Sequence, residues 1–276
     1  SVGGKPTDPA SCRMLGRAYT GERTMYELPS GSAVFASLYR GKARKSLCSH
    51  RPAGRIDRRT NVNQRNYQKE LDQLLVKIDN EPKKTLFLHC CCAPCSSYVT
   101  EYLSAHFHLV LFFYNPNITE KDEYEKRKQE LLRLISEKEY PGKIDIVETD
   151  YDSEPFYEMA KGYEKEPECG KRCFLCYELR LRETAKEAVR YGADYFCTTL
   201  SISPHKNAGK LMEIGERLAK EYNIPYLPSD FKKKNGYKRS IELSREYDLY
   251  RQNYCGCVFS RQQAEKEGRN NCEKPE

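Results

Sequence analysis

No apolar run in this sequence approaches the ~20 residues that a helix needs to cross a bilayer. The start, Ser1 to Lys5, lacks the basic-then-apolar pattern of a secretory signal. Cysteine is too sparse for a disulfide scaffold: 13 among 276 residues, below the roughly 8–10% that marks one. A mean hydropathy of −0.83 and 32% charged residues describe a heavily solvated surface. Together these absences predict a cytosolic protein with no membrane partner. In that reducing compartment, clustered cysteines bind metal or do redox chemistry more often than they staple a fold.

A general excess of positive charge is also missing, despite the net +7. Residues 1–65 carry 13 Lys and Arg against 4 Asp and Glu, whereas the remaining residues carry 34 against 36. The core is therefore near neutral, and nucleic-acid binding cannot be argued from net charge. Residues 1–65 show no helical or strand period and read as a disordered basic extension that could help hold RNA. Cys12 and Cys48 lie in it without metal-ligand spacing. A domain over 66–262 and a flexible tail over 263–276 complete the expected organisation.

Order is expected to begin near Asn66. Leu71, Leu74, Leu75 and Ile78 recur at helical spacing. Thr85–His89, Leu109–Tyr114, Ile144–Val147 and Asp194–Thr199 read as strands, with helices over about 120–138, 172–191 and 207–222. Apolar strands alternating with helices predict an α/β fold: a Rossmann-like parallel sheet with helices on both faces, plus a helical carboxyl-terminal segment. In such sheets the site lies beyond the carboxyl ends of the strands.

The cysteines fall at those ends. His89-Cys90-Cys91-Cys92-Ala93-Pro94-Cys95 spans a strand-to-helix junction, where backbone N–H groups favour thiolates and so metal ligation. Cys90 reads equally well as a small core residue. In Cys169-Gly170-Lys171-Arg172-Cys173-Phe174-Leu175-Cys176 the pair Cys173 and Cys176 shares one face of a helix start. Such a pair can bind zinc, carry a redox disulfide or ligate an iron–sulfur cluster. Joined by two cysteines of the first group it supplies four sulfur ligands, which suits a cluster or structural zinc. In Cys255-Gly256-Cys257 a disulfide would close a small, strained, easily reduced ring, and the alternative is two free structural thiols. Cys197 reads as core packing and Cys272 as a tail thiol.

Two further segments carry chemistry. Ser203-Pro204-His205-Lys206-Asn207 follows the fourth strand, with His205 as candidate proton donor or helix-start contact. Phe231 to Arg239 holds five cations (Lys232, Lys233, Lys234, Lys238 and Arg239) and two aromatics, a patch suited to phosphates and stacked bases or simply a solvated loop.

Taken in order, Cys91-Cys92-Ala93-Pro94-Cys95, Arg172–Cys176, Ser203–Asn207, Ser229–Lys234 and Tyr254–Cys257 resemble the QueH family of epoxyqueuosine reductases over about Asn66 to Ser260. The resemblance implies reduction of the epoxide of epoxyqueuosine to queuosine at the wobble position of tRNA, without cobalamin, as the last step of queuosine synthesis. It implies a four-iron–four-sulfur cluster on Cys91, Cys92, Cys173 and Cys176 and a redox-active disulfide between Cys255 and Cys257. It also suggests a mononuclear iron, for which Cys95, Cys169 and Asp230 are the candidate shell. The partners implied are tRNA carrying epoxyqueuosine and an electron donor that the sequence does not identify.

Two rival classes share parts of this pattern. An iron–sulfur-dependent tRNA-thiolating enzyme would need a glycine-rich phosphate loop after the first strand, where this chain has Cys90–Cys95 and no glycine. A zinc-stabilised RNA-binding protein would use the same thiolates and be colourless.

Overall fold

The structure is a computed structural model that describes residues 65–268. Cys12, Cys48, Cys272 and almost all of the basic extension lie outside them. Among the described residues no helix is long and apolar enough to cross a membrane.

Helix α1 (Tyr67–Ile78) starts where the Asn66 side chain accepts the Lys69 N–H at 3.1 Å, and it buries Leu71, Leu75 and Ile78. Strand β1 (Thr85–His89) leads into α2 (Ala93–Ser104), with Pro94 in its first turn. β2 (His108–Phe113), α3 (Lys121–Glu137), β3 (Ile144–Glu148) and α4 (Glu154–Ala160) follow. The long α5 (Lys171–Tyr191) ends at Gly192, whose φ of 77° needs a residue without Cβ. After β4 (Tyr195–Thr198) and a 3-10 turn come α6 (Ala208–Tyr222), α7 (Gly236–Glu246) and α8 (Val258–Lys266). Helix α8 runs past residue 262, so the folded segment extends into the expected tail.

The four strands are parallel in the order β3-β2-β1-β4. Alternation along them divides the core into two layers. Leu86, Leu88, Leu109 and Leu111 pack with α1, α2 and α3, while Phe87, Val110, Phe112 and Phe196 pack with α5 and α6. Each fully buried Leu or Phe contributes about 1.5–3 kcal/mol, so both faces of the sheet are strongly covered. Cys90 and Cys197 are fully buried among these side chains.

The strand order places the site. From β1 the chain steps outward through β2 to β3, then returns to β4 on the other flank of β1. The crevice at that reversal, beyond the carboxyl ends of β1 and β4, is where open α/β sheets bind their ligands. His89 spans it. Its Nε2–H donates to the Tyr114 carbonyl at 3.0 Å, leaving Nδ1 to accept from the Thr198 hydroxyl at 2.8 Å. Burial, then the nearby Arg180, push its pKa down to about 3, so the ring is neutral.

Candidate active site

Cys91 and Cys92 leave β1 at this crevice, and Cys95 sits in the first turn of α2. Their three sulfurs lie within 4.8 Å of one another, with Cys91 and Cys92 Sγ 3.9 Å apart. Thr199, beyond β4, accepts the Cys91 backbone N–H at 3.3 Å, and its hydroxyl donates to Cys91 Sγ at 3.5 Å. The trio shares its protons unequally. Hydrogen bonds from Cys91 and Cys95 hold Cys92 well below the usual thiol range, and the same bonds, with burial, push Cys91 and Cys95 up.

A second group of cysteines lines a small cavity, of about 10 Å³, beside the head of α5. Cys173 and Cys176 reach it from the first turns of that helix, and Cys255 and Cys257 from the loop before α8. Cys173 Sγ accepts the Cys169 N–H at 3.3 Å. Burial pushes Cys176 up to about 12. Two cations enter the same space. Lys206 Nζ donates to Cys255 Sγ at 3.2 Å. Arg180 is only 1% exposed; its Nε donates to the Cys176 carbonyl at 3.3 Å, and its Nη2 has no hydrogen-bond partner. Burial opposes that guanidinium, and ionisation of Cys176, Cys255 and Cys91 would each favour its charge.

The Cys255–Cys257 loop is clamped from α3 and the turn before it. Arg127 Nη1 and Asn117 Nδ2 both donate to the Cys255 carbonyl, at 3.1 and 3.4 Å, and the Thr119 N–H donates to the Gly256 carbonyl at 3.2 Å. Arg127 is itself fixed by Glu123. Gly256 has φ of 117°, and a Cβ there would stand 2.9 Å from Ile118 Cγ1. Both the backbone and the space require glycine.

The other sequence candidates fare unevenly. Cys95 joins Cys91 and Cys92, and among the described residues Cys95, Cys169 and Asp230 do not form one compact ligand group. Cys169 is exposed with its thiol donating to the His205 carbonyl at 3.3 Å, and Asp230 pairs with Lys232 at 3.0 Å. His205 is exposed, while its neighbour Lys206 turns into the cavity. In the basic patch, Lys234 pairs with Asp72 at 2.7 Å and Arg239 grips Glu101 through two 3.0 Å bonds, tying this segment to α1 and α2. Lys233 and Lys238 remain exposed, Lys238 by 76% with only a 4.0 Å approach to Glu242.

Sequence reasoning missed Arg180, Lys206 and Arg127. Arg180 and Arg127 left a signal: they fall on the apolar faces of α5, with Cys176, Tyr177, Leu181 and Thr184, and of α3, with Tyr124, Leu131 and Leu134, where a cation is costly unless paired.

This arrangement suits a thiolate-bound anionic group. A buried guanidinium with an unused donor stands between cysteines of both clusters, and no buried carboxylate takes that role among the described residues. Comparison with known proteins agrees. The family model described as epoxyqueuosine reductase QueH matches residues 86–263. The chain is 42% identical over 204 residues to the epoxyqueuosine reductase QueH of Streptococcus pyogenes serotype M1, covering 72% of this chain and 80% of that one. For the QueH of Staphylococcus epidermidis the identity is 40% over 200 residues, covering 71% and 84%. For that of Thermotoga maritima it is 36% over 182 residues, covering 64% and 90%.

Proposed function

Because this chain belongs to the epoxyqueuosine reductase QueH family, we propose that it reduces epoxyqueuosine in the wobble position of tRNA to queuosine. It is an oxidoreductase of tRNA modification. The observation that carries the reading is the placement of the thiol clusters and two cations at the strand reversal, inside the matched segment.

Removing an epoxide oxygen as water consumes two electrons and two protons and leaves an alkene. Oxidising two thiols to one disulfide releases the same two electrons and two protons. Cys255 and Cys257 are proposed as that pair, on a loop held by Arg127 and Asn117. Cys91, Cys92, Cys173 and Cys176 are proposed to hold a four-iron–four-sulfur cluster, whose ligands spread wider than those of a single ion. Support comes from Arg180, whose charge answers to both Cys91 and Cys176. When bound, such a cluster supplies electrons one at a time. Arg180 would offset its negative charge, and the buried wall of the cavity would exclude water. A separate mononuclear site on Cys95, Cys169 and Asp230 has no geometric support, because each of the three is engaged in a different place.

Substrate phosphates are proposed to meet Lys233 and Lys238, since Lys232, Lys234 and Arg239 are committed to carboxylates. A reducing, cytosolic setting suits this chemistry. The test is anaerobic purification with iron and sulfide analysis, then incubation with epoxyqueuosine-containing tRNA and a reductant. Loss of one oxygen from the modified nucleoside is expected. Cluster-loaded protein that leaves the epoxide intact would overturn the proposal.

A further inference from the structure

We infer that Lys206 makes Cys255, and not Cys257, the reactive thiol of the loop, by holding its sulfur in an ion pair inside the cavity. The inference deepens the reading of Cys255 and Cys257 as a redox pair, and its test is separable from that reading.

Three observations converge on it. Lys206 Nζ donates to Cys255 Sγ at 3.2 Å, and among the described residues no carboxylate lies within ion-pair distance of that ammonium. Its backbone is anchored: the Lys206 N–H donates to the Ser203 carbonyl at 3.1 Å, and Asn207 caps the following helix. The sulfur is anchored too, through Arg127 and Asn117 on its carbonyl and Ser260 on its N–H. Two fixed groups meet at one point, so the pair loses little side-chain entropy when it forms.

Cys257 has no such partner. Its sulfur accepts the Ser260 N–H at 3.4 Å, and no cation hydrogen-bonds to it among the described residues. Every charged group around the cavity fits the contrast. Burial and Glu168 oppose ionisation of Cys255, yet Lys206 and Arg180 outweigh them and lower its pKa. Burial and the neighbouring Cys255 raise Cys257, and together they outweigh the hydrogen bonds of Ser260 and the charge of Arg172. Tyr177, on α5, is raised chiefly by burial and stays protonated beside the pair. The thiolate is the nucleophile in thiol chemistry, so an ion-paired cysteine reacts first.

The test is timed alkylation of reduced holoenzyme with iodoacetamide between about pH 6 and 10, the span over which ordinary and activated thiols ionise. Peptide mass spectrometry reads the two cysteines separately. In the unsubstituted protein Cys255 should label faster at neutral pH and inflect at lower pH than Cys257. Lys206→Met should slow Cys255 labelling at neutral pH by about tenfold, the effect of one pKa unit, with little change at the alkaline end. Lys206→Arg should restore most of the rate. Unchanged iron, sulfide and melting temperature show that the variants are folded. An unaltered Cys255 profile in Lys206→Met overturns the inference. If that variant fails to fold, the unsubstituted protein still decides: Cys257 inflecting at or below Cys255 overturns it as well. Failure of the redox reading looks different, since Cys255→Ser would then keep multiple turnover whatever the labelling order.

Discussion

Cys91, Cys92 and Cys95 stand at the head of α2 and hydrogen-bond chiefly to one another, whereas Cys173, Cys176, Cys255 and Cys257 share their cavity with two cations. In the first group, two thiols donate to a third and Thr199 donates to Cys91, with no direct hydrogen bond from a cation among the described residues. In the second, charge is imposed from outside by Lys206 and Arg180. A self-solvating trio favours binding a metal centre, which replaces shared protons by metal bonds. A thiolate paired with a fixed ammonium is suited to turn over between thiol and disulfide. On the proposed assignment, the cluster ligands hold electrons and the Cys255–Cys257 pair delivers them.

That division is most easily broken at Cys173, the cavity cysteine assigned to the holding role. Cys173→Ala should strip or degrade the cluster and abolish turnover, and full iron and sulfide in that variant would sink the four-cysteine assignment. Cys255→Ser should do the reverse, keeping cluster and fold while losing multiple turnover. Protein trapped after one turnover without reductant should show Cys255 and Cys257 newly protected from alkylation. Both thiols labelling fully, with Cys255→Ser still active, would make the pair structural.

Acid should find His89 first. His89 has a folded pKa of about 3 against 6.5 as its ordinary value, so the unfolded chain binds a proton across that window and the folded chain does not. Stability from this group is complete above about pH 6.5 and falls as pH drops toward 3, by on the order of a few kcal/mol. His89→Gln should lose less melting temperature between pH 7 and 4 than the unsubstituted protein; an equal loss would assign the acid sensitivity to other groups. The smallest effect is expected at the periphery. Replacing Lys233 and Lys238 by Gln should lower the salt dependence of tRNA binding, by at most about 0.9 in slope for each phosphate no longer neutralised. An unchanged slope would move the phosphate-binding surface elsewhere, with the basic extension next in line.

The framework was legible because it rests on local patterns. All four strands carry apolar runs ending at turn residues, and α1, α3, α5 and α6 carry helical spacing, so their bounds agree with the structure to within about two residues. The sheet order follows less directly, but parallel strands with helical connections restrict it strongly. The sequence does not delimit α4, α7 and α8: they are 7, 11 and 9 residues long and rich in charge, too short for period alone to reveal. The site was half legible. Its cysteines announce themselves by clustering, but their grouping depends on distances no spacing encodes. His205 stands out in the sequence because histidines ordinarily titrate near neutrality, yet Lys206 is the inward side chain, because the turn before α6 sets which of the two faces the cavity. The partners of the basic patch were hidden for a related reason: Asp72 and Glu101, which pair with Lys234 and Arg239, come from more than a hundred residues away.

The bond between His89 and Thr198 joins residues 109 positions apart, and it closes the crevice where the thiols gather. During synthesis at roughly 5–20 residues per second, the first cysteine group therefore leaves the ribosome about 5–20 s before the strand that completes its surroundings. Pairing at such sequence separation is also slow to form, because chain closure must precede its reward. For that interval three neighbouring thiols are exposed with nothing built around them. Cys173 and Cys176 emerge later than these three, so loading of the proposed cluster belongs to the finished fold and not to the growing chain.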